Sequence, residues 1–335
     1  MSSDASANPL PQTLRQALWP LAVLYGTVAA ARNALFTLGW KKVQKLDVPV
    51  VSIGNLTVGG TGKTPTVAWL CQLAKDAGRT PGVLARGYGR ADGAQLNDEG
   101  VLLQRRLPWL LQEQDPDRVA AGRRLVAKGA DFVVLDDGFQ HRRLHRDLDV
   151  VCLDARMPFG NGHCLPAGDL REFRSGLRRA GLVLLTRAHG LDRDQLAARV
   201  QRIRQLSGKP GLGVHACTHA PRDCVARPSG DVREASSLRG RRVVLLSAIA
   251  KPKSFRATVE GLGAEVVDEV VHRDHHRFTA AEVGAAAGLA VEHDAMLLTT
   301  EKDDARLDGF DVERHVLRID LQFVDAPPPP REFLL

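Results

Sequence analysis

Lys63 and Thr64 close a glycine-rich run, GNLTVGGTGKTP at residues 54–65, whose residue types and spacing suit the binding of phosphate. Gly59, Gly60 and Gly62 let backbone N–H groups approach anionic oxygens with no Cβ in the way. Lys63 then reaches the β- and γ-phosphates of a nucleotide and the Thr64 hydroxyl a Mg²⁺ ion. The nucleotide-contacting stretch is Thr57, Val58, Gly59, Gly60, Thr61, Gly62, Lys63 and Thr64. The usual template has a glycine six places before the lysine, where Thr57 stands. A glycine-rich turn with a surface lysine is the plainer alternative. Asp136 and Asp137 end the run ADFVVLDD, where loop-type nucleotidases keep their Mg²⁺-holding acid. A helix cap or turn acid is the alternative for them. Guanine specificity lacks its signature. Phe139 stands three places after Asp136 where D-x-x-G needs glycine, and TEKD (residues 300–303) lacks the Asn-Lys start, so ATP is the expected nucleotide.

The elements that must carry these residues read as an α/β fold. VPVVSIGN (48–55) is an apolar β-branched strand, and PTVAWLCQLAKDAG (65–78) has helical spacing and a glycine stop. Strand, turn and helix N-terminus together make an anion site. TPGVLARGYG (80–89), ADFVVLDDGFQH (130–141), LDVVCLDA (148–155) and AGLVLLTR (180–187) read as further buried strands, as do RRVVLLSAIAKP, EVVDEVVH and AMLLTTEKD later on. Strands alternating with helices imply right-handed crossovers and mainly parallel sheets, with functional residues at the strands' carboxyl ends. The segment 213–232 between the two runs carries prolines and turn residues and reads as a linker. APPPPREFLL closes the sequence in extended polyproline form.

The 335 residues suit two α/β domains, and a 44% hydrophobic, 25% charged composition is that of a soluble globular protein. A formal charge of +7 suits an anionic partner without specifying it. No basic, aromatic-interleaved segment marks nucleic-acid recognition. Five scattered cysteines with no C-x-x-C pair imply free thiols in a reducing compartment. Residues 18–42 are apolar apart from Gly26, Thr27, Arg32, Asn33 and Thr37 until the basic end at Lys41, Lys42 and Lys45, with Trp19, Tyr25 and Trp40 as interface-loving aromatics. A mid-segment charge costs about 2.5–3.5 kcal/mol on insertion scales, so the expectation is a helix lying in a membrane surface, with a core helix or a span as alternatives.

The order GNLTVGGTGKTP, ARGYGR, LDDGFQH, FGNGHCLPAGDLRE, DHHRF and TEKD resembles the tetraacyldisaccharide 4′-kinases of lipid A synthesis, over most of the chain. That family's loop also lacks the leading glycine. The resemblance implies transfer of the ATP γ-phosphate to the 4′-hydroxyl of a tetraacyldisaccharide 1-phosphate, with Mg²⁺, at the cytoplasmic face of the inner membrane. It implies two α/β/α domains, the first like a P-loop NTPase, joined by a short two-stranded linker, with a peripheral N-terminal helix and no obligate protein partner. Divided accordingly, residues 1–45 form the membrane-associated helix, 46–211 the kinase domain, 212–229 the linker, 230–317 the second domain and 318–335 a return strand and proline-rich tail. Asp98 in NDEG takes the place of the family's proposed base, with Asn97 and Gly100 departing from its GDEP pattern. His275 of DHH is its partner from the second domain, so that domain closure would complete the pair. Glu172 joins Thr64, Asp136 and Asp137 as a metal ligand. Arg86, Gln140 and Arg171 are the candidate substrate contacts; Arg174, Arg178 and Arg179 extend the cluster of phosphate-suited forks. Apart from the resemblance, HRDHHRF reads as an exposed polar turn or a metal cluster. Another P-loop ATP-dependent small-molecule kinase and a membrane-bound nucleotide switch are the competing functions.

Overall fold

The computed structural model describes residues 11–90 and 93–334; the first ten residues of the expected N-terminal segment and the last of the tail lie outside them. In chain order the elements are α1 (Gln12–Thr37), β1 (Val50–Gly54), α2 (Lys63–Asp76), β2 (Pro81–Ala85), α3 (Asp98–Arg106), β3 (Leu111–Gln114), α4 (Arg118–Ala127), β4 (Phe132–Asp136), β5 (Leu148–Asp154), β6 (Leu182–Thr186), α5 (Arg193–Ser207), β7 (Gly213–Arg227), β8 (Val232–Glu234), β9 (Arg242–Ser247), α6 (Pro252–Gly261), β10 (Glu265–Val271), α7 (Ala280–Glu292), β11 (Met296–Thr300), α8 (Glu301–Asp304) and β12 (Arg314–Phe323).

The chain divides into two compact units, Met1–Tyr88 with Arg106–His219 and Leu321–Leu335, and Gly89–Arg105 with Ala220–Asp320. In the first unit the strands run β7-β6-β5-β1-β4-β2-β3, each pair parallel. β1, β4 and β6 are buried at every position, which is why they read as unbroken apolar runs. One core gathers Val50, Leu84, Leu125 and Val133; the other gathers Leu56, Val151, Leu185, Ile203 and Ala22 of α1. β3 escapes a sequence reading because LQEQ at a sheet edge has no apolar pattern. In the second unit β10, β9, β11 and β12 pair in parallel, with β8 antiparallel on the later residues of β7.

Several boundaries depart from the sequence reading. The loop helix starts at Lys63 rather than at residue 65, with Gly62 as N-cap in the left-handed region. The expected linker is a fifteen-residue strand, β7, whose Gly213–Ala216 pairs with β6 and whose Asp223–Val225 pairs with β8. Pro221 lies within this strand, between those two ladders. The segment Gly89–Arg105, expected within the kinase domain, counts with the second unit. It is tied there by Arg105 to Asp304 at 2.9 Å and by Asp98 to Arg306 at 2.6 Å. All five cysteines are buried free thiols. Among the described residues no helix is long and apolar enough to cross a membrane.

Candidate active site

The phosphate loop follows β1 and is braced on every side. Gly59 and Gly62 take φ of 92° and 78°, the left-handed region that only glycine enters without strain. Thr57 does not: it is absent from the positive-φ positions, is 7% exposed, and forms an antiparallel bridge with Leu170. The template glycine is therefore dispensable there, and Thr57 serves as a strand-like anchor. Val58 donates its N–H to the Asp169 carbonyl at 2.7 Å, and Arg171 donates its own to the Leu56 carbonyl. Thr57 and Val58, expected among the nucleotide contacts, thus dock the loop onto FGNGHCLPAGDLRE, which explains that motif's presence. Deeper in the loop, Asn55 Nδ2 donates to Thr61 Oγ1 at 3.0 Å, and Thr186 Oγ1 donates to the Thr61 carbonyl at 2.9 Å. Gly59 to Thr64 remain as the candidate anion cradle, at the start of α2.

Asp136 ends β4 in register with Ile53, which puts its carboxyl beside the start of the loop, 6% exposed. Asp137 follows at φ 50°, an uncommon conformation for a non-glycine residue, and turns its carboxylate toward two cations. Lys63 Nζ lies 3.4 Å from Oδ1 and Arg171 Nη1 2.7 Å from Oδ2. Burial pushes the Asp137 carboxyl up, but Lys63 and Arg171 together outweigh it and hold it below the ordinary carboxylate value. Arg118, 6% exposed, stands in the electrostatic reach of Asp137, Arg86 and Asp136. It sits at the start of α4 with its Nη1 3.3 Å from His141 Nδ1. Sequence reading passed over it because a lone arginine opening a helix carries no signature.

Two further residues escaped for the same reason. Arg187 follows β6 at φ 56°, paired to Asp154 at 3.0 Å, with Nη2 3.6 Å from where a Cβ on Gly60 would stand. His219 presents its Nε2 2.5 Å from the position of a Cβ on Gly62, so only glycine fits there. Burial, then Arg187 and His189, push the His219 imidazole down to about 4, leaving it neutral against the loop.

Glu172 and Gln140 are placed differently from expectation. Glu172, 2% exposed, accepts from Arg179 Nη1 and Nη2 at 2.8 Å each, from Gln140 Nε2 at 3.0 Å and from Asn33 Nδ2 at 2.8 Å. Both oxygens are spent on protein donors, so its surroundings are those of a structural clasp and not of a metal ligand. Gln140 likewise gives its amide to the Asn55 carbonyl and to Glu172, which makes it a brace rather than a substrate contact. Arg171 is occupied by Asp137. The polar residues of α1 are part of the same clasp. Arg32 donates to the Gln140 carbonyl at 3.0 Å and Arg142 to the Asn33 carbonyl at 2.6 Å, while Gly26 lies against Phe173 and Cys164.

In the second unit, Asp98 opens α3 and His275 sits in the turn after β10 at φ 64°. Both belong to this unit, so the pair does not wait on domain closure as the sequence reading had it. Asp98 Oδ2 and His275 Nδ1 are 3.9 Å apart, beyond hydrogen-bond length, and Arg306 stands between them. The proposed metal cluster of HRDHHRF also resolves. His272, His276 and Glu282 are the group among the described residues whose ligand atoms lie within 4.8 Å of one another. The two rings, however, stack 4.5 Å apart at 6°. Imidazole lone pairs lie in the ring plane, and those of parallel rings do not converge on one ion. Glu282 takes His276 Nε2 at 3.0 Å and also accepts from the backbone N–H of Thr279, which reads as a clamp on the turn that carries His275.

The chain as a whole is similar to known proteins. The family model for tetraacyldisaccharide-1-P 4′-kinase matches residues 14–334. A tetraacyldisaccharide 4′-kinase from Anaeromyxobacter sp. (strain Fw109-5) is 44% identical over 324 residues, covering 90% of this chain and 85% of the relative. One from Syntrophus aciditrophicus is 37% identical over 308 residues, covering 85% and 82%. The crystal structure of LpxK from Aquifex aeolicus in complex with ATP superposes with a TM-score of 0.74 at 29% identity, over 92% of this chain and 95% of that one. A mainly parallel α/β architecture, a braced phosphate loop and this span of likeness lead to one conclusion: the chain belongs to the tetraacyldisaccharide 4′-kinase family and is a kinase.

Proposed function

We propose that the chain transfers the γ-phosphate of ATP to the 4′-hydroxyl of a tetraacylated disaccharide 1-phosphate, working from a membrane surface at the cytoplasmic face of the inner membrane. The observation that carries this reading is the Lys63–Asp137–Arg171 constellation at the end of β4 beside a glycine cradle, in a chain of this family. In the transfer a bond forms between O4′ and the γ-phosphorus, the bond from that phosphorus to the β,γ-bridging oxygen breaks, ADP leaves, and the hydroxyl proton passes to a base. Backbone N–H groups from Gly59 to Thr64 and the N-terminus of α2 hold the phosphates, and Lys63 offsets their charge. Asp98 accepts the hydroxyl proton. Thr64, Asp136 and Asp137 offer hard oxygen donors, the set Mg²⁺ prefers, so these residues would hold it. When bound, Mg²⁺ neutralises charge on the β- and γ-oxygens.

The membrane reading rests on α1. Leu21, Leu24 and Val28 are 53–61% exposed, and Trp40 beyond the helix is 76% exposed. The opposite side of the helix is docked through Ala22, Gly26 and Asn33. An apolar row with one face pinned to the protein suits a lipid surface, where acyl chains stay in the bilayer and the sugar is presented to the loop. The test is ATP with a tetraacyldisaccharide 1-phosphate in detergent, followed by mass spectrometry. A doubly phosphorylated lipid, formed only with the acceptor hydroxyl intact, is the expected product. ATP hydrolysis that proceeds equally without lipid would overturn the reading.

A further inference from the structure

Arg306 is one of the most enclosed cations in the second unit, its side chain 2% exposed, and four of its five guanidinium donors are spent on fixed acceptors. Nη1 donates to the Ala248 carbonyl at 2.8 Å and to Asp303 Oδ1 at 3.0 Å. These bonds anchor the group, since Asp303 is fully buried and capped by Thr300. On the other side Nε donates to Asp98 Oδ2 at 2.6 Å and Nη2 to His275 Nδ1 at 3.1 Å. Three segments far apart in sequence, the start of α3, the turn after β10 and the residues after α8, are thereby registered on one rigid fork.

Cations flank the imidazole on both ring nitrogens. A guanidinium has no acceptor, so Arg306 faces His275 Nδ1 as a donor. Lys302 Nζ, 3.3 Å from Nε2, is then a neighbouring cation whose carboxylate partner is Asp274 at 3.4 Å. Asp98 is held through Oδ2, with its side chain 35% exposed.

We propose that Arg306 is a positioning residue for phosphoryl transfer: it fixes Asp98 Oδ2 and His275 Nδ1 together, so that Asp98 Oδ1 meets the acceptor hydroxyl in one orientation. The inference rests on the reading of Asp98 as proton acceptor. It differs from a direct Asp98–His275 pair in making the arginine the connecting piece. The side chain touches neither substrate nor ATP; it acts by holding a base that otherwise rotates freely.

The test compares Arg306→Ala, Arg306→Lys and Asp98→Asn in the full-length protein, with ATP and the tetraacyldisaccharide 1-phosphate. Positioned acid–base groups contribute about 10²–10⁴ in rate, and loss of orientation alone forfeits part of that, so Arg306→Ala should lower kcat about 10- to 100-fold. Its KM for ATP should stay near that of the parent, while its thermal midpoint falls because the buried Asp303 loses its cation. Added guanidinium ion should restore part of the lost kcat in Arg306→Ala, and Arg306→Lys should fall between the two. In the Asp98→Asn background, Arg306→Ala should cost almost nothing further, because the group it positions has gone. Full kcat in Arg306→Ala alongside a crippled Asp98→Asn overturns the role of Arg306 and leaves the base in place. Full kcat in Asp98→Asn overturns the reading of the base itself. If Arg306→Ala fails to fold, an Arg306→Lys variant with parental kcat and KM refutes the need for a fork.

Discussion

Replacing Glu172 with glutamine distinguishes a structural clasp from a metal ligand in one experiment. In the folded protein both carboxylate oxygens face donors: Arg179 forks onto them, and Asn33 and Gln140 complete the set. The Glu172 side chain is 3% exposed and that of Arg179 17% exposed. Glutamine keeps the shape but presents one N–H₂ to a guanidinium that can only donate, leaving a mostly buried cation short of its partner. Breaking a buried ion pair from one side costs about 3–5 kcal/mol, and the residual exposure of Arg179 places this pair at the lower end, about 3 kcal/mol. For a unit of this size each kcal/mol moves the midpoint by roughly 2–4 °C, giving about 6–12 °C in the transition of the first unit. The assay is thermal unfolding with and without ATP, together with turnover measured across a Mg²⁺ titration. The expected result is a lowered midpoint with an unchanged half-saturating Mg²⁺ concentration. A parental midpoint with the Mg²⁺ requirement raised tenfold would refute the clasp and restore Glu172 to the metal.

Three further outcomes are expected. Lys63→Ala should lower turnover by about 10²–10³, the usual loss for one preorganised charge contact, and parental kcat at saturating ATP would remove Lys63 from the transfer. His219 titrates at about 4 in the fold against 6.5 as its ordinary value, so the unfolded chain binds its proton first as pH falls. Its contribution is present above about 6.5 and is lost as pH drops toward 4. His219→Gln should therefore flatten the fall of the unfolding midpoint between those values, and an unchanged slope would count against a buried neutral ring. Leu21→Glu with Leu24→Glu, both on exposed positions of α1, should abolish sedimentation with anionic vesicles while leaving the unfolding midpoint intact. Undiminished sedimentation would show that the apolar row does not meet lipid.

Apolar strands and glycine turns were legible because burial on both faces and positive φ each demand particular residue types. β1, β4 and β6 announced themselves in this way, as did Gly59 and Gly62. The roles of Glu172 and Gln140 were not legible, since a carboxylate near a phosphate loop looks the same whether it faces an ion or an arginine. Only the donors brought from residues 33 and 179 decide between them. Arg306 was invisible for a related reason: its partners lie 208 and 31 positions away, and no local pattern encodes such a convergence. That the linker is one long strand was not legible, because a proline between two short ladders looks, in one dimension, like a turn.

The excursion of Gly89–Arg105 into the second unit has a consequence for how the molecule comes into being. On the ribosome, Asp98 emerges early, yet the arginine that holds it follows 208 residues later. The first unit is also closed late, when Phe333 reaches Trp69 with ring centroids 5.0 Å apart. Throughout most of synthesis the nascent chain thus carries the glycine loop without the Asp98–Arg306 contact. Contacts of such separation are slow to find, and neither unit corresponds to one contiguous stretch that could be cut out and folded alone.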